Sequence, residues 1–502
     1  MRDLVIGLDV GTHSTRVAVF RRDGERLYTN AINYDTEYPR EHWAEQDPGD
    51  WRNAIDALMS DVRREVPANG IEAIALDSTT CTVVVTDREN NPIGKAMLWE
   101  DSRVQEEAAE IRQMAASNGF EGYGSTVPEL MLPKALWLKH HDQRYQNGQI
   151  LEGLDHLNWQ LTGNREAVGN RTLAIRKWNY DLGIGGWDDG HLEKFGLSDV
   201  KARWPSRFAE PAEVIGTLRP ELRARWGLPE AKIVGGTFDS YAHTVGLGAV
   251  EANGDAALIL GGSINIYAVI GNEPSHYGTL TPCYNPEKKD LSMIGNGIIA
   301  GGLSLDWFID NFCERERIEA ERRGIKPHDI LDEMIEGLPP GSGGLVFTPY
   351  LQGGSRAHGD PTMRGSFTGL SITTGRPNMY KAIYEGIAYN LRYILEDLTS
   401  KGIEINRLVA GGGGDKKSFL KIIADVTGIP IQRTMNNESA AHGSAMIAAV
   451  GAGMYGNLRE ARDNMLQLNG TVVPSMENHQ QYAPFYQKYQ ELHNGALSAV
   501  RS

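Results

Sequence analysis

Residues 7–16 read GLDVGTHSTR and decide the predicted fold. They end an apolar, strand-like run at residues 4–9, turn at Gly11 and continue into a second strand-like run. Backbone amides of a tight Gly/Ser/Thr turn can donate hydrogen bonds to phosphate oxygens. Asp9 offers the oxygen ligands that Mg²⁺ prefers, and Arg16 can neutralise developing negative charge. The stretch predicts a phosphate-binding hairpin, and a plain hairpin with a solvated Asp9 is an equally good interpretation of these residues alone.

The strand–turn–strand pattern returns in the second half of the chain. An apolar run at residues 256–262 ends in glycine and is followed by a partner strand at residues 265–270. Such an internal repeat predicts two similar domains, and strands alternating with helical patterns predict an α/β class. We expect a boundary near residues 246–253, with domains at 1–248 and 249–502.

A glycine run, GGGGDKKS at residues 411–418, follows a predicted strand and precedes a predicted helix. It is not a P-loop, because Lys416 stands where that motif requires glycine. Four glycines allow a flat ligand such as adenine, or an α-phosphate, to approach the backbone closely. A flexible turn is the alternative interpretation.

The segment GGTFDSYAH at residues 235–243 places Asp239 after a predicted strand and a glycine pair. Phosphoryl transfer to an alcohol requires a base within hydrogen-bond reach of the attacking hydroxyl, and Asp239 suits that role. By itself, an Asp in this position is more often the N-cap of the next helix.

The bulk composition excludes several classes of function. The 502 residues predict two or more domains, and the net charge of −15 argues against nucleic-acid and anionic-membrane partners, which need a basic face. The three cysteines, Cys81, Cys283 and Cys313, fit neither a disulfide framework nor a zinc site. No stretch approaches the roughly 20 apolar residues of a membrane span. We therefore expect a cytoplasmic protein, with a homodimer left open.

Longer motifs identify a family. GSFTGL at residues 365–370 is followed, after seven residues, by NMYKAIYE at 378–385. With FTPYL at 347–351, WAEQDP at 43–48 and the hairpin at 7–16, the chain resembles the FGGY family of carbohydrate kinases, within the actin–hexokinase superfamily, over nearly its whole length.

The resemblance implies two ribonuclease-H-like α/β domains with a cleft between them, and ATP-dependent phosphorylation of a terminal hydroxyl of a small sugar or polyol. It implies Asp239 as the catalytic base and Asp9 as the carboxylate of the Mg²⁺ site. Many members carry Thr in place of Gly262. The positions that it implies for ATP are Gly11, Thr12, Arg16, Gly262, Ser263, Gly301, Gly302, Gly412, Gly413, Gly414 and Lys417.

The choice of sugar depends on the N-terminal half. TCTVV at residues 80–84 lacks the Arg-Glu pair of glycerol kinases and the Met-His pair of xylulose kinases, and it is similar to a stretch of D-ribulose kinases. The residues expected to bind the sugar are Thr80, Cys81, Asp101, Lys177 and Asp239.

Alternatives stay open for the substrate and for single residues. Lys177 is nearly as well explained as a surface cation lying over Trp178, and Cys81 as a small buried thiol. Ser240 and Tyr241 depart from the Ala-His of ribulose kinases. Xylulose, glycerol or a pentitol therefore remains an alternative acceptor, and an actin-like or sugar-sensing ATPase remains an alternative function.

Overall fold

The computed structural model describes residues 2–120, 123, 126–177, 188–271, 281–282, 291–354, 359–360 and 362–501. The strands are β1 (Leu4–Val10), β2 (Ser14–Arg21), β3 (Arg26–Asn33), β4 (Glu45–Gln46), β5 (Ile71–Ser78), β6 (Val83–Thr86), β7 (Ala96–Met97), β8 (Gln149–Glu152), β9 (Val168–Asn170), β10 (Arg207–Ala209), β11 (Val214–Thr217), β12 (Lys232–Phe238), β13 (Asp255–Leu260), β14 (Ile264–Gly271), β15 (Thr281–Pro282), β16 (Leu291–Ile298), β17 (Val346–Thr348), β18 (Ser366–Thr368), β19 (Arg407–Gly411), β20 (Ile431–Thr434) and β21 (Leu468–Val472).

The α-helices are α1 (Pro48–Glu65), α2 (Gln105–Asn118), α3 (Met131–His141), α4 (Arg144–Asn147), α5 (Gly153–Thr162), α6 (Arg171–Lys177), α7 (Asp189–Lys194), α8 (Pro220–Trp226), α9 (Asp239–Gly246), α10 (Gly302–Phe312), α11 (Glu314–Arg323), α12 (Pro327–Ile335), α13 (Arg376–Ser400), α14 (Lys417–Thr427), α15 (Ser439–Gly451), α16 (Leu458–Met465) and α17 (Met476–Arg501). Among the described residues, no helix combines the length and the apolar character that crossing a membrane requires.

The chain divides into two compact units, each with its own sheet. Unit 1 comprises Met1–Gly246, Thr281–Ser292 and Glu438–Leu466, and unit 2 comprises Leu247–Leu280, Met293–Asn437 and Gln467–Ser502. The predicted α/β class with two similar sheet-containing domains is confirmed. The division differs from a single boundary at residue 248, because the segment that carries α15 and α16 joins unit 1.

The sheet of unit 1 has the strand order β11-β12-β5-β1-β2-β3. β1 is parallel to β5 and β5 to β12, whereas β2 and β11 are antiparallel to their inner neighbours. β1 and β5 are almost wholly buried, which explains their nearly continuous apolar sequences. The carboxyl ends of three parallel strands therefore lie side by side at one edge.

Helix α15 packs on this sheet through small residues. Its first eleven residues are all buried, and it contacts β1, β5, β12 and α9. A Cβ at Gly7 of β1 would lie 1.8 Å from the Ala441 carbonyl oxygen, and one at Gly443 would lie 1.9 Å from the Ala242 carbonyl oxygen. Since only glycine allows these approaches, α15 lies directly against the strand and helix that carry the candidate site.

Unit 2 repeats this topology. Its sheet contains the run β14-β13-β19-β20-β21, in which β13, β19 and β20 are parallel, β14 is antiparallel to β13 and β21 is antiparallel to β20. These are the directions of β2-β1-β5-β12-β11 in unit 1.

The long helix α13 packs against α14 and β17, and its buried tyrosines Tyr380, Tyr384 and Tyr389 belong to one apolar core.

Candidate active site

Three strand ends of unit 1 bring carboxylates together. Asp9 near the end of β1 and Asp77 near the end of β5 are register partners on adjacent parallel strands. The next parallel strand, β12, leads directly into α9, whose first residue is Asp239. The charges of all three groups influence one another, so they form one electrostatic cluster.

A bulge in β12 sets the position of Asp239. The register of β12 against β5 shifts across Gly235 and Gly236, where Gly236 has φ +71° and a Cβ would lie 2.0 Å from a backbone oxygen of β5. Asn158 Nδ2 donates to the Gly235 carbonyl oxygen at 2.9 Å, and Asn170 Nδ2 donates to the Gly236 carbonyl oxygen at 2.8 Å. The glycine pair that the sequence singled out is thus a fixed bend before the predicted base.

The Asp239 carboxylate is half-buried and remains partly accessible. Its Oδ1 accepts the Ser240 amide at 2.6 Å and the Ser240 hydroxyl at 3.1 Å. An N-cap would accept an amide two or three residues further along the helix. These contacts orient the carboxylate locally, so the geometry differs from the N-cap that was the alternative interpretation.

His243 lies one helical turn after Asp239 and joins the cluster. Its Nδ1 is 2.7 Å from the Ser439 hydroxyl oxygen on α15. Burial lowers the pKa of His243, although the negative charges of Asp9 and Asp239 act in the opposite direction. Burial therefore favours the uncharged form of the imidazole.

Arg16 lies between two carboxylates of unit 1. Its Nε donates to Glu438 Oε2 at 2.8 Å, and its Nη1 is 3.6 Å from Asp9 Oδ2. Burial raises the pKa of Asp9, whereas the charges of His243 and Arg16 lower it. Arg16 is thus held close to the predicted cation ligand while 35 % of its side chain stays exposed.

Asp77 is fully buried and was not predicted from the sequence. Ser444 on α15 donates its hydroxyl to Asp77 Oδ2 at 2.6 Å. Burial raises the pKa of Asp77 well above its ordinary value, and the charge of Asp9 adds to that rise. A signal existed, because Asp77 ends its apolar strand as Asp9 does. Glu438, Ser439 and Ser444 had no local signal.

Side chains from three other segments hold the hairpin turn. Tyr34 donates its hydroxyl to the Gly11 carbonyl oxygen at 2.7 Å, and Gln46 Nε2 donates to the Thr12 carbonyl oxygen at 2.5 Å. Trp99 Nε1 donates to Thr12 Oγ1 at 3.0 Å. The turn predicted to bind phosphate is therefore fixed by packing as well as by its own hydrogen bonds.

The segment predicted to select the sugar contains a strained residue. Cys81 is buried and has φ +59°, which is uncommon for a residue with a side chain. The fully buried Lys134 donates its Nζ to the Cys81 carbonyl oxygen at 2.8 Å and to the Leu98 carbonyl oxygen at 2.5 Å. Burial lowers the pKa of Lys134. A buried cation thus holds this segment in place, and Thr80 beside it is partly exposed.

Two other predicted sugar-binding residues have different surroundings. Asp101 is fully buried, where its Oδ2 accepts the Ala44 amide at 2.8 Å and its Oδ1 accepts Arg103 Nε at 2.8 Å. These contacts occupy both of its oxygens. Lys177 is the last residue of α6, and its side chain lies outside the described part of the chain, as do residues 178–180 and Cys283.

The glycine segments predicted to bind ATP converge in unit 2. A Cβ at Gly302 would lie 2.4 Å from the Gly261 carbonyl oxygen, and one at Gly412 would lie 2.5 Å from the Leu260 carbonyl oxygen. The Leu303 amide donates to the Gly262 carbonyl oxygen at 3.1 Å. Three glycine-rich turns therefore meet at the end of β13.

The other positions predicted for ATP in unit 2 lie on or next to these turns, whereas Gly11, Thr12 and Arg16 belong to the hairpin of unit 1. The Gly414 amide donates to the Leu260 carbonyl oxygen at 3.1 Å, and Ser263 Oγ accepts Asn265 Nδ2 at 3.1 Å. Gly301 immediately precedes α10, Gly413 is exposed, and Lys417 is the exposed first residue of α14.

Two family models match this chain in sequence. The N-terminal domain of the FGGY family of carbohydrate kinases matches residues 4–246, and the C-terminal domain of that family matches residues 256–452. The chain belongs to the FGGY family of carbohydrate kinases. The resemblance inferred from the motifs is confirmed, and the protein is an enzyme that phosphorylates a small sugar with ATP.

Curated relatives cover nearly the full length of this FGGY kinase. A xylulose kinase from Bacillus subtilis is 26% identical over 517 residues, covering 99% of each chain. A gluconokinase from the same organism is 26% identical over 461 residues, covering 90% of this chain and 88% of the relative. These relatives do not single out ribulose as the acceptor.

Solved structures agree on the fold. A ligand-bound xylulose kinase from Lactobacillus acidophilus superposes with a TM-score of 0.83 at 24% identity, covering 98% of each chain. At this level of identity the likeness establishes the two-domain architecture and nothing about the substrate.

The carboxylates of unit 1 are of the kind that the divalent cation of the family would use with ATP. Hard cations such as Mg²⁺ prefer carboxylate oxygens, and Asp9 and Asp239 offer them at neighbouring strand ends. Asp77 instead shares a side-chain hydrogen bond with Asp9, which lowers the pKa of Asp9 and raises that of Asp77.

Proposed function

We propose that this FGGY kinase transfers the γ-phosphate of ATP to the terminal hydroxyl of a ketopentose, with D-ribulose as the first candidate. The observation that carries the proposal is the position of Asp239. A half-buried carboxylate follows a fixed glycine bend and belongs to one electrostatic cluster with Asp9 and the buried His243. That arrangement supports a general base acting on an alcohol.

Asp239 accepts the proton of the attacking hydroxyl. A permanent cation beside the carboxylate would lower its pKa and weaken it as a base. Burial of His243 reduces this effect, because it lowers the pKa of the imidazole. The Ser439 hydroxyl, 2.7 Å from Nδ1, keeps the ring in position.

Charge developing on the phosphoryl group needs positive groups near Asp9. Arg16, 3.6 Å from Asp9 and partly exposed, supplies a fixed positive charge there. When bound at Asp9, Mg²⁺ would supply further neutralisation of the phosphate oxygens.

We propose unit 2 as the nucleotide side. The turns around Gly262, Gly302 and Gly412 meet at one strand end, and these three positions have no side chains of their own. Close backbone approach of this kind suits adenine and phosphate groups. Lys417, exposed at the start of α14, adds a cation.

The choice of D-ribulose rests on the segment at Thr80 and Cys81. Its sequence is similar to that of D-ribulose kinases, and the buried Lys134 holds its strained backbone. D-Xylulose is the second candidate, because a full-length relative at 26% identity is a xylulose kinase. The two sugars differ only in configuration at C3, so a ketopentose site is common to both candidates.

The substrate is tested by coupled ADP release with D-ribulose, D-xylulose, gluconate, glycerol and pentitols. We expect the highest kcat/KM for D-ribulose, followed by D-xylulose. A higher kcat/KM for gluconate or glycerol than for either ketopentose would contradict the proposed acceptor class. Tight sugar binding without ADP release would instead favour a catalytically weak sugar sensor.

The base is tested by Asp239→Asn. We expect kcat to fall by about 10²- to 10⁴-fold, because the attacking hydroxyl loses its proton acceptor. The affinity for ADP, measured by calorimetry, should not change. Asp189→Asn is a matched control, since Asp189 is an exposed carboxylate of unit 1 paired with Lys201. Turnover near the wild-type value in Asp239→Asn would exclude Asp239 as the base.

A further inference from the structure

We propose that Glu107, His140 and His141 form a binding site in unit 1 for Zn²⁺ or a similar divalent transition-metal cation. Glu107 belongs to the first turn of α2, and the two histidines are the last residues of α3. Each side chain offers one ligand atom, and the three atoms lie within 4.8 Å of one another. The site shares no residue with the cluster of Asp9 and Asp239, so it is independent of the proposed function.

No other group of this kind occurs in the described part of the chain. Among those residues, no second set of three His, Cys, Asp or Glu side chains brings its ligand atoms so close together. His42, for example, lies 3.8 Å from Glu41, but no third ligand completes that pair within the described residues. Glu107 and His141 are 34 positions apart, so the group forms only because α2 packs on α3.

Two of the three ligands already lie at a suitable distance. His141 Nε2 is 2.9 Å from Glu107 Oε1. Metal–ligand bonds of about 2.0 Å in a tetrahedral site place two ligand atoms about 3.3 Å apart. The Glu107 side chain is only 5 % exposed, so packing fixes its carboxylate. His140 is exposed, and rotation of its side chain is the main change that a cation would require.

The charges around the group suit a cation. His140 and His141 end α3, and a helix C-terminus carries partial negative charge from its unpaired carbonyl groups. The other basic side chain of this turn is Lys139, which donates its Nζ to Asp199 Oδ1 at 2.6 Å and to the Gly196 carbonyl oxygen at 2.7 Å. Its charge is therefore already paired with a different carboxylate.

The ligand set selects the metal. Two imidazole nitrogens and one carboxylate oxygen suit Zn²⁺, Co²⁺, Ni²⁺ and Cu²⁺, whereas Mg²⁺ prefers oxygen ligands in octahedral geometry. Three protein ligands leave a fourth position for water. The bound ion would link α2 to α3, the helix from which Lys134 holds the Cys81 carbonyl oxygen.

The experiment is a calorimetric titration of the full chain with Zn²⁺, in the presence of excess Mg²⁺. We expect one equivalent to bind to the wild type. His140→Ala should weaken this binding by about tenfold or more, because losing a direct ligand costs at least as much as losing an outer hydrogen bond. His140 is exposed and takes no part in the hydrogen bond between Glu107 and His141, so the variant should fold like the wild type.

His42→Asn is the matched control, because His42 is another exposed histidine beside a glutamate. Its Zn²⁺ affinity should equal that of the wild type. Equal Zn²⁺ affinity in His140→Ala and the wild type would overturn the proposal and leave Glu107 and His141 as an ion pair. An equally large loss in His42→Asn would also overturn it, since Zn²⁺ would then bind exposed histidines without selection.

X-ray absorption at the zinc edge tests the site in the unaltered protein. With one equivalent of Zn²⁺ bound, we expect two imidazole ligands, with nitrogen and oxygen atoms at about 2.0–2.1 Å from the metal. A single imidazole ligand, or none, would overturn the proposal. Zn²⁺ should also raise the midpoint of thermal unfolding of the wild type, because it binds the folded chain, and should raise it less in His140→Ala.

Discussion

Corresponding strand positions in the sheets of the two units carry chemically different residues. In unit 1, Asp9 lies two residues before Gly11, the first glycine of the turn, and it is paired in register with Asp77. In unit 2, Ile259 of β13 lies two residues before Gly261, and it is paired in register with Gly411 of β19. One backbone arrangement therefore presents two carboxylates in unit 1, and an apolar side chain and a glycine in unit 2. The carboxyl ends of parallel strands supply charge in one unit and close backbone approach in the other.

The two turns differ in the same way. Both close with a short amide–carbonyl hydrogen bond, from Gly11 to Ser14 at 2.9 Å and from Gly261 to Ser263 at 3.0 Å. Polar and aromatic side chains of unit 1 then hold the first turn. The second turn instead meets the backbone of other glycine segments. Charged side chains should therefore decide turnover, and backbone clearance should decide nucleotide affinity.

The largest expected effect comes from removing the charge of Asp9, compared with a substitution of Ile259 at the corresponding strand position of unit 2. Asp9→Asn should lower kcat by about 10²- to 10³-fold, because the transferring phosphoryl group loses electrostatic stabilisation. Ile259→Val, at the corresponding place in unit 2, should reduce stability by about 0.5–1.5 kcal/mol and leave kcat unchanged. Steady-state kinetics and thermal unfolding measure the two effects. Equal losses of kcat in both variants would remove the distinction between the strand ends.

A smaller effect is expected from backbone clearance in unit 2. Gly412 has φ +110°, and an added Cβ would lie 2.5 Å from the Leu260 carbonyl oxygen. Gly412→Ala should therefore displace the turn and weaken ADP binding by about 10- to 100-fold in calorimetry. Sugar binding should not change.

Gly470→Ala is the control for backbone strain. Gly470 in β21 has φ +78°, with open space around an added Cβ. The Gly470→Ala substitution should lower the free energy of unfolding by about 1–2 kcal/mol without changing the affinity for ADP. A similar loss of ADP affinity in both variants would mean that general destabilisation, and not clearance at the turn, explains the Gly412 result.

The last prediction concerns stability alone, with no change in kcat, and it distinguishes the two units by the pH dependence of their buried groups. Burial lowers the pKa of His156 in unit 1 to about 3 from 6.5. The unfolded chain then binds the extra proton below pH 6.5, so stability falls with decreasing pH, by about 2 kcal/mol at pH 5. His156→Gln keeps a donor for Asn90 Oδ1 and should reduce this acid sensitivity in thermal unfolding.

Glu385 in unit 2 responds in the opposite direction. Burial raises its pKa to about 7 from 4.5, so the folded state keeps a proton that the unfolded chain loses. This contribution to stability falls as pH rises from 4.5 to 7. Glu385→Gln should flatten that decline. The same pH dependence of the unfolding midpoint in the wild type and in both variants would contradict these assignments.

Much of the fold and part of the site were predictable from sequence. The repeated strand–turn–strand pattern predicted two sheet-containing α/β units, and spaced motifs predicted the family, which two family models confirm. Their places after strand-like runs near glycine made Asp9 and Asp239 candidates, and the resemblance to the family implied their roles. The structure brings both into one cluster, and their roles remain proposals. Asp101 was also predicted, yet both of its oxygens contact the Ala44 amide and Arg103.

The sequence alone determined the local features, namely the apolar strands, the glycine turns and the carboxylates that follow them. Tertiary structure decided which of these groups meet. Asp77 lies beside Asp9 only because β1 and β5 pair in parallel with that register. Ser444, 367 positions later in the chain, reaches Asp77 only because α15 packs on the sheet of unit 1. Burial and strand register, which set the pKa values and the partners of these groups, depend on residues far apart in the chain, so no short stretch of sequence encodes them.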